Sequence, residues 1–285
     1  MDSDVRTREA RARAEEALVR FALLAGDHAK DFVVIGGLNP DFLAPNPPAP
    51  HLGTTDVDLL FELGFVYDRD DLDFGWLDEA LESGSFHPRD DAGWQWDAIL
   101  GETHVRLDLL CDVTDNRGQP VYLPGAERAT AQNLDGPAAA LTDTVLRALT
   151  VPNSIRNDHA GAPENVELRF TSLGGYLSAK AAALVSRGKA KDAYDLMFVA
   201  LYNPGGAPAA AAAVAALDAP VHRAPPQEVV KTAMKMMTSE DGVWAGHFAA
   251  QMQLAGDDES AAQLRQDAAA GARRFLKEIG RADQA

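Results

Sequence analysis

Between Arg6 and Lys30, Leu18, Phe21, Leu24 and several alanines recur among Arg and Glu without a proline, and the pattern extends back to Val5. This spacing predicts an amphipathic helix over about residues 4–30. The run Asp31-Phe-Val-Val-Ile35 is β-branched and stops at Gly36-Gly37, which predicts a short buried strand with a sharp turn at its end. Five prolines in "NPDFLAPNPPAPH" then predict a loop, because proline fits neither a helix interior nor a central strand. A second strand begins in "TTDVDLLFEL", a short helix is expected around Trp76–Leu81, and "WQWDAIL" and "THVRLDLLCDV" read as two further strands.

Past "NRGQPVYLPG" the chain turns rich in Ala and Leu. "SLGGYLSAKAAALVSRGKAKDAYDLMFVALY" predicts helices broken at Gly188, and further helices are expected over Ala207–Ala216, Pro226–Thr238 and Asp258–Ile279. The expected class is α/β (α+β), a mixed sheet with flanking helices over residues 1–125 followed by a mainly helical C-terminal domain over 126–285. No internal repeat is visible.

Composition narrows the classes. The 285 residues are 46% hydrophobic, enough for one large or two modest cores. A single cysteine, Cys111, excludes an internal disulfide framework and a cysteine-based zinc site. The charged start and the lack of any apolar run near the roughly 20 residues needed to span a bilayer predict a cytoplasmic protein with no membrane partner. The net charge is -17, and Thr54–Asp115 carries 17 acidic against three basic residues (Arg69, Arg89, Arg106), or -14 of that total. Such a field favours cations over bare polyanions.

Within that span, Asp56 and Asp58 alternate with Val57 and Leu59. Residues two apart on a strand share a face, with Cα atoms about 6.5 Å apart, so two carboxylates are held side by side. Most lone pairs of this kind, roughly two in three in an acidic protein, are solvated strand ends or turn formers. Adjacent carboxylates in a partly buried site repel, and a hard cation such as Mg²⁺ or Mn²⁺ relieves that repulsion. Asp108, between Leu107 and Leu109, supplies a third acid in the same kind of apolar strand.

"VVIGGLNPDFLAPNPPAPHLGTTDVDLLF" resembles the first motif of the DNA polymerase β-type nucleotidyltransferase superfamily: strand, glycine pair, spacer, then Asp-x-Asp before apolar residues. "SAKAAALVSRGKAKDAYDLMFV" is similar to the helices of its AbiEii/AbiGii toxin branch, which includes the nucleotidyltransferase toxins of type IV toxin-antitoxin systems. The resemblance covers roughly residues 30–200, and its spacer from Gly37 to Asp56 is longer and richer in proline than usual. It implies a nucleotidyltransferase-like sheet, with Asp56, Asp58 and Asp108 as ligands of Mg²⁺ or Mn²⁺ and Asp108 able to deprotonate an acceptor hydroxyl. It further implies Gly36 and Gly37 as a phosphate turn, and Lys180, with Arg187 two turns on, as contacts to the phosphates of an NTP. Asp195 matches a further acidic position, although Lys191 four residues earlier offers it an ordinary helix-surface pair.

The implied reaction moves an NMP from an NTP to an acceptor hydroxyl on tRNA or protein, with a cognate antitoxin as a partner. Alternatives are a small-molecule, antibiotic-type nucleotidyltransferase and a non-catalytic relative that binds nucleotide or partner. Arg6, Arg8, Arg11, Arg13 and the Lys180–Lys191 stretch are the basic positions available to RNA. The seven histidines show no zinc-ligand spacing, Trp94 and Trp96 fit a core better than a base-stacking platform, and no Walker A, nucleophile-elbow or dinucleotide motif is present.

Overall fold

The computed structural model describes residues 6–64, 71–159, 161–219 and 224–282; Val5 and Arg69 lie outside these. Helix α1 spans Arg8–Ala25, with the Thr7 hydroxyl accepting from the Ala10 amide at 3.0 Å as its N-cap, and a 3-10 turn, Gly26–Lys30, continues it. Next come β1 (Phe32–Ile35), a tight Gly36–Leu38 turn, the single helical turn α2 (Pro40–Leu43), β2 (Asp56–Phe61), α3 (Gly75–Ser83), β3 (His87–Pro88), β4 (Gln95–Leu100) and β5 (Thr103–Cys111). β6 (Pro120–Tyr122), β7 (Thr130–Asn133), α4 (Ala139–Thr142), β8 (Thr144–Thr150), α5 (Asn153–Asp158) and β9 (Asn165–Thr171) follow. Among the described residues six helices follow: α6 (Leu173–Arg187), α7 (Ala190–Tyr202), α8 (Gly206–Ala215), α9 (Pro226–Met236), α10 (Val243–Leu254) and α11 (Ala261–Ala282).

These elements form two compact units. The first takes the chain up to Leu38, Gly53–Asp135 and Thr144–Phe170; the second takes Asn39–Leu52, Gly136–Asp143 and everything from Thr171. Three strands beyond residue 125, in a stretch expected to be helical, thus join the sheet. Leu, Ala and Arg in "TVLRALT" favour a helix locally, but pairing with neighbouring strands decides the outcome. The proline-rich spacer also holds one helical turn, with Pro40 at the first helical position, where a missing N–H costs nothing.

The first unit is a nine-stranded mixed sheet among the described residues, in the order β3-β4-β5-β2-β1-β9-β8, with β7 also on β5 and β6 on β7. β2 runs antiparallel to β1 and parallel to β5; β4 runs antiparallel to β5. One sheet face is apolar. Val57, Leu59 and Phe61 of β2 lie level with Leu107, Leu109 and Cys111 of β5, and all are buried. Phe21 of α1 packs on this side, 5.7 Å from the Phe32 ring, which in turn lies 5.8 Å from Phe61. The period-two alternation of β2 thereby turns Asp56 and Asp58 to the opposite face.

The second unit is built around α7, whose residues Asp192–Ala200 are all buried. Tyr194 and Phe198 meet at 5.6 Å and Tyr194 and Phe248 at 6.2 Å, with Leu177, Met252 and Phe275 completing the centre. α10 falls between two expected helices in a stretch assigned to neither. Among the described residues, no helix is long and apolar enough to cross a membrane.

Candidate functional site

The polar face of the sheet gathers the sequence-predicted acids. Asp58 is level with Asp108, and Asp56 with Arg106, on the parallel strands β2 and β5, so all four side chains share one face. On the far side of β5, Gln95 of β4 is level with Asp108 and Asp97 with Arg106. Asp56 and Asp108 are buried at 7% and 8% exposure. A side chain that charged is rarely buried without a partner, and each has one.

The partner is Arg106. Its Nη2 lies 2.8 Å from Asp56 Oδ2 and its Nε donates to Asp108 Oδ1 at 2.9 Å, so one guanidinium spans two strands and two carboxylates. Gln95 Nε2 donates to the same Asp108 oxygen at 3.0 Å. The Thr55 hydroxyl donates to Asp56 Oδ1 at 3.3 Å. Burial, with Asp58 and then Asp56 adding repulsion, pushes the Asp108 carboxyl up from 3.8 to about 7, against the opposing pull of Arg106 and Gln95. A carboxyl raised toward neutral pH lies nearer the range suited to proton transfer than an ordinary aspartate does.

The chemistry of this donor set fits a hard divalent cation, but its present geometry does not converge on one. Among the described residues no group of three or more His, Cys, Asp or Glu is arranged to hold a metal ion. The guanidinium, rather than a point between the acids, receives Asp56 and Asp108.

The glycine pair has a closer structural task than a phosphate cradle. Gly36 has φ +77°, and a Cβ there would fall 1.8 Å from Asp58 Oδ2; a Cβ on Gly37 would fall 2.5 Å from that of Thr54. The turn after β1 is thus pressed against the start of β2, and Asp58 lies over Gly36 where any side chain would displace it. The space a larger residue would take is filled by this chain's own atoms.

Lys180, Arg187 and Asp195 belong to the second unit. Lys180 Nζ lies 2.7 Å from Asp195 Oδ2, with both side chains nearly buried. His51 Nε2 lies 3.0 Å from Asp195 Oδ1, and the His51 ring stacks at 5.0 Å on Tyr194, whose hydroxyl accepts from the Leu52 amide at 3.1 Å. Arg187 makes a two-bond contact to the buried Asp192, Nε to Oδ2 at 2.8 Å and Nη2 to Oδ1 at 2.7 Å. Asp195 thus has buried partners on two sides; nothing in the sequence ties His51, in a proline-rich spacer, to a residue 144 positions later.

Just before α1, Arg6 Nε donates to the Gly53 carbonyl at 2.6 Å, and on the helix Arg11 pairs with Glu15 at 2.7 Å and Arg13 with Glu16 at 2.8 Å, so these basic positions are used within the chain. Trp96 is fully buried and donates to the Gly93 carbonyl at 2.9 Å, a core residue as expected. A surface cavity of about 320 Å³ is lined by Gly75, Asp78, Glu82, Gly125, Glu127 and Arg128 and by none of the three acids. Asp78 there accepts from the backbone amides of Glu127, Arg128 and Ala129 and ties the loop down. Compared with known proteins, the chain matches no family model and no curated protein.

Proposed function

We propose that the chain is a metal-dependent nucleotidyltransferase that moves an NMP from an NTP to an acceptor hydroxyl and releases pyrophosphate. The observation that carries this reading is the level placement of Asp58 and Asp108 on parallel strands, with Asp56 on the same face and more carboxylate than one arginine neutralises. Asp56, Asp58 and Asp108 would hold Mg²⁺ or Mn²⁺, which supplies charge neutralisation at the α-phosphate. The acceptor oxygen forms its bond to the α-phosphorus as the bond to the pyrophosphate oxygen breaks, and the hydroxyl proton passes to the Asp108 carboxylate.

The resemblance to the toxin branch extends the proposal to tRNA or protein as acceptor and to a cognate antitoxin as partner. Lys180, which the resemblance gives as a phosphate contact, is paired with Asp195 in this structure. A second reading, a relative that binds a partner without catalysis, is favoured by the closure of Arg106 on two of the three acids.

The test is incubation of the purified chain with each labelled NTP, Mg²⁺ or Mn²⁺, and total tRNA or cell extract. Transfer of label by wild type and its loss in Asp58→Asn is the expected result. Absence of label under every combination would sink the catalytic reading and leave the second.

A further inference from the structure

We propose that Arg106 is a built-in competitor for the metal: its guanidinium holds the carboxylate cluster together in the metal-free protein and is displaced when a divalent cation enters. The inference rests on the transferase reading above and adds to it a residue that the family resemblance does not single out.

Three observations carry it. Arg106 stands on β5 two residues before Asp108 and level with Asp56 on β2, so the backbone delivers it to the centre of the acid cluster. Its Nη2 and Nε engage Asp56 Oδ2 and Asp108 Oδ1 at 2.8 and 2.9 Å, and these are oxygens that a shared cation would need. Mg²⁺ demands oxygens at about 2.0–2.1 Å in a near-octahedral shell, and a guanidinium bridging the same two carboxylates fills the space in which that shell would form. Finally, Asp56, Asp58 and Asp108 share one sheet face, with Asp97 level with Arg106 on it, and a doubly charged ion gains more from several carboxylates than a singly charged guanidinium does.

The arrangement therefore has two exclusive occupants. In one, Arg106 bridges the strands; in the other, the cation does, and the arginine side chain turns toward its solvent-accessible side, where it is 19% exposed. Metal affinity is then the difference between two ion contacts rather than the strength of one, and it is weaker than three carboxylates alone would give.

Mn²⁺ titration calorimetry on the metal-stripped full chain tests this with wild type, Arg106→Gln, Arg106→Lys and Asp58→Asn, alongside the arginine Nε–H resonance of Arg106 followed by NMR during Mg²⁺ addition. Arg106→Gln is expected to bind Mn²⁺ roughly tenfold more tightly than wild type, because the competing ion pair is gone. Arg106→Lys, whose single ammonium cannot bridge both carboxylates in the same fork, should fall between them. The Nε–H resonance of Arg106 should move to the position and fast solvent exchange of an unbonded arginine as Mg²⁺ saturates. If wild type binds Mn²⁺ in a manner lost in Asp58→Asn, but Arg106→Gln binds no more tightly and the resonance stays put, the competition is refuted while the transferase reading stands. If no variant shows Asp58-dependent binding, the transferase reading itself fails. Should Arg106→Gln not fold, the lysine variant and the wild-type resonance decide the same question.

Discussion

Replacing Asp108 with Asn should make the sheet unit more stable at pH 8, and the gain should shrink as the pH falls. The carboxyl rises from 3.8 to about 7 on folding. A carboxyl that binds its proton more tightly in the fold favours the folded state at low pH, and its cost builds as the pH climbs from about 4 through 7. At about 1.4 kcal/mol for each pKa unit, the full cost above pH 7 is on the order of 4 kcal/mol. Asn keeps an Oδ1 able to accept from Gln95 and Arg106 and carries no charge. At pH 5 the unfolded chain has already lost its proton while the folded one keeps it, so about a third of the cost remains. The difference between Asp108→Asn and wild type should therefore narrow by on the order of 3 kcal/mol between pH 8 and pH 5. Urea unfolding in EDTA, followed by tryptophan fluorescence in a Trp244→Phe background, reads this unit, since Trp76, Trp94 and Trp96 all lie in it. A gap that is the same at both pH values, or a variant that is the less stable at pH 8, would show Asp108 to be a contented structural acid and refute the reasoning.

Gly36→Ala, with φ +77° and a Cβ driven onto Asp58, should cost well over the roughly 1–2 kcal/mol of a left-handed residue and abolish both Mn²⁺ binding and label transfer; Gly188→Ala, left-handed at φ +60° with only ordinary contact around it, should show that backbone cost alone by thermal melting. Lys180→Ala removes the ammonium 2.7 Å from Asp195, which is 1% exposed, and should destabilise the helical unit by about 3–5 kcal/mol, with at least half recovered in Lys180→Ala/Asp195→Asn, measured by thermal melting at Trp244 fluorescence. Asp56→Asn with Asp58→Asn should remove transferase activity and most of the Mg²⁺-induced rise in melting temperature, read by scanning calorimetry with and without EDTA.

The site was legible where chemistry follows from local alternation. Asp56-Val57-Asp58 and Leu107-Asp108-Leu109 announce which face each acid takes, and β1, β2, β4 and β5 fall within the expected runs. Arg106-Leu107-Asp108 has the same two-residue spacing, so the presence of an arginine beside the third acid was open to the same rule. Its choice of Asp56 was not, because that depends on the register of two strands about 50 residues apart, which local pattern does not encode. The same distance hides the Lys180-Asp195-His51 cluster: a lysine and an aspartate on successive helices read as surface charges until packing places them inside. Of the strands at 130–171, β8 escaped notice because Leu, Ala and Arg favour a helix locally, whereas Val166, Leu168 and Phe170 of β9 alternate as a strand does and were open to the same rule.

The position of β1 sets an order on the birth of the protein. Its four buried residues lie between β2, which follows within about 20 positions, and β9, which begins some 130 residues after β1 ends. A ribosome adding about 5–20 residues per second leaves one edge of Phe32-Val33-Val34-Ile35 unpaired for roughly 6–26 seconds while the intervening chain emerges. For that interval the nascent polypeptide displays an apolar strand edge of the kind that recruits other strands. Full-length chains should consequently depend on a holding chaperone during translation, and a product stopped at residue 125 should carry that open edge permanently and collect in the insoluble fraction.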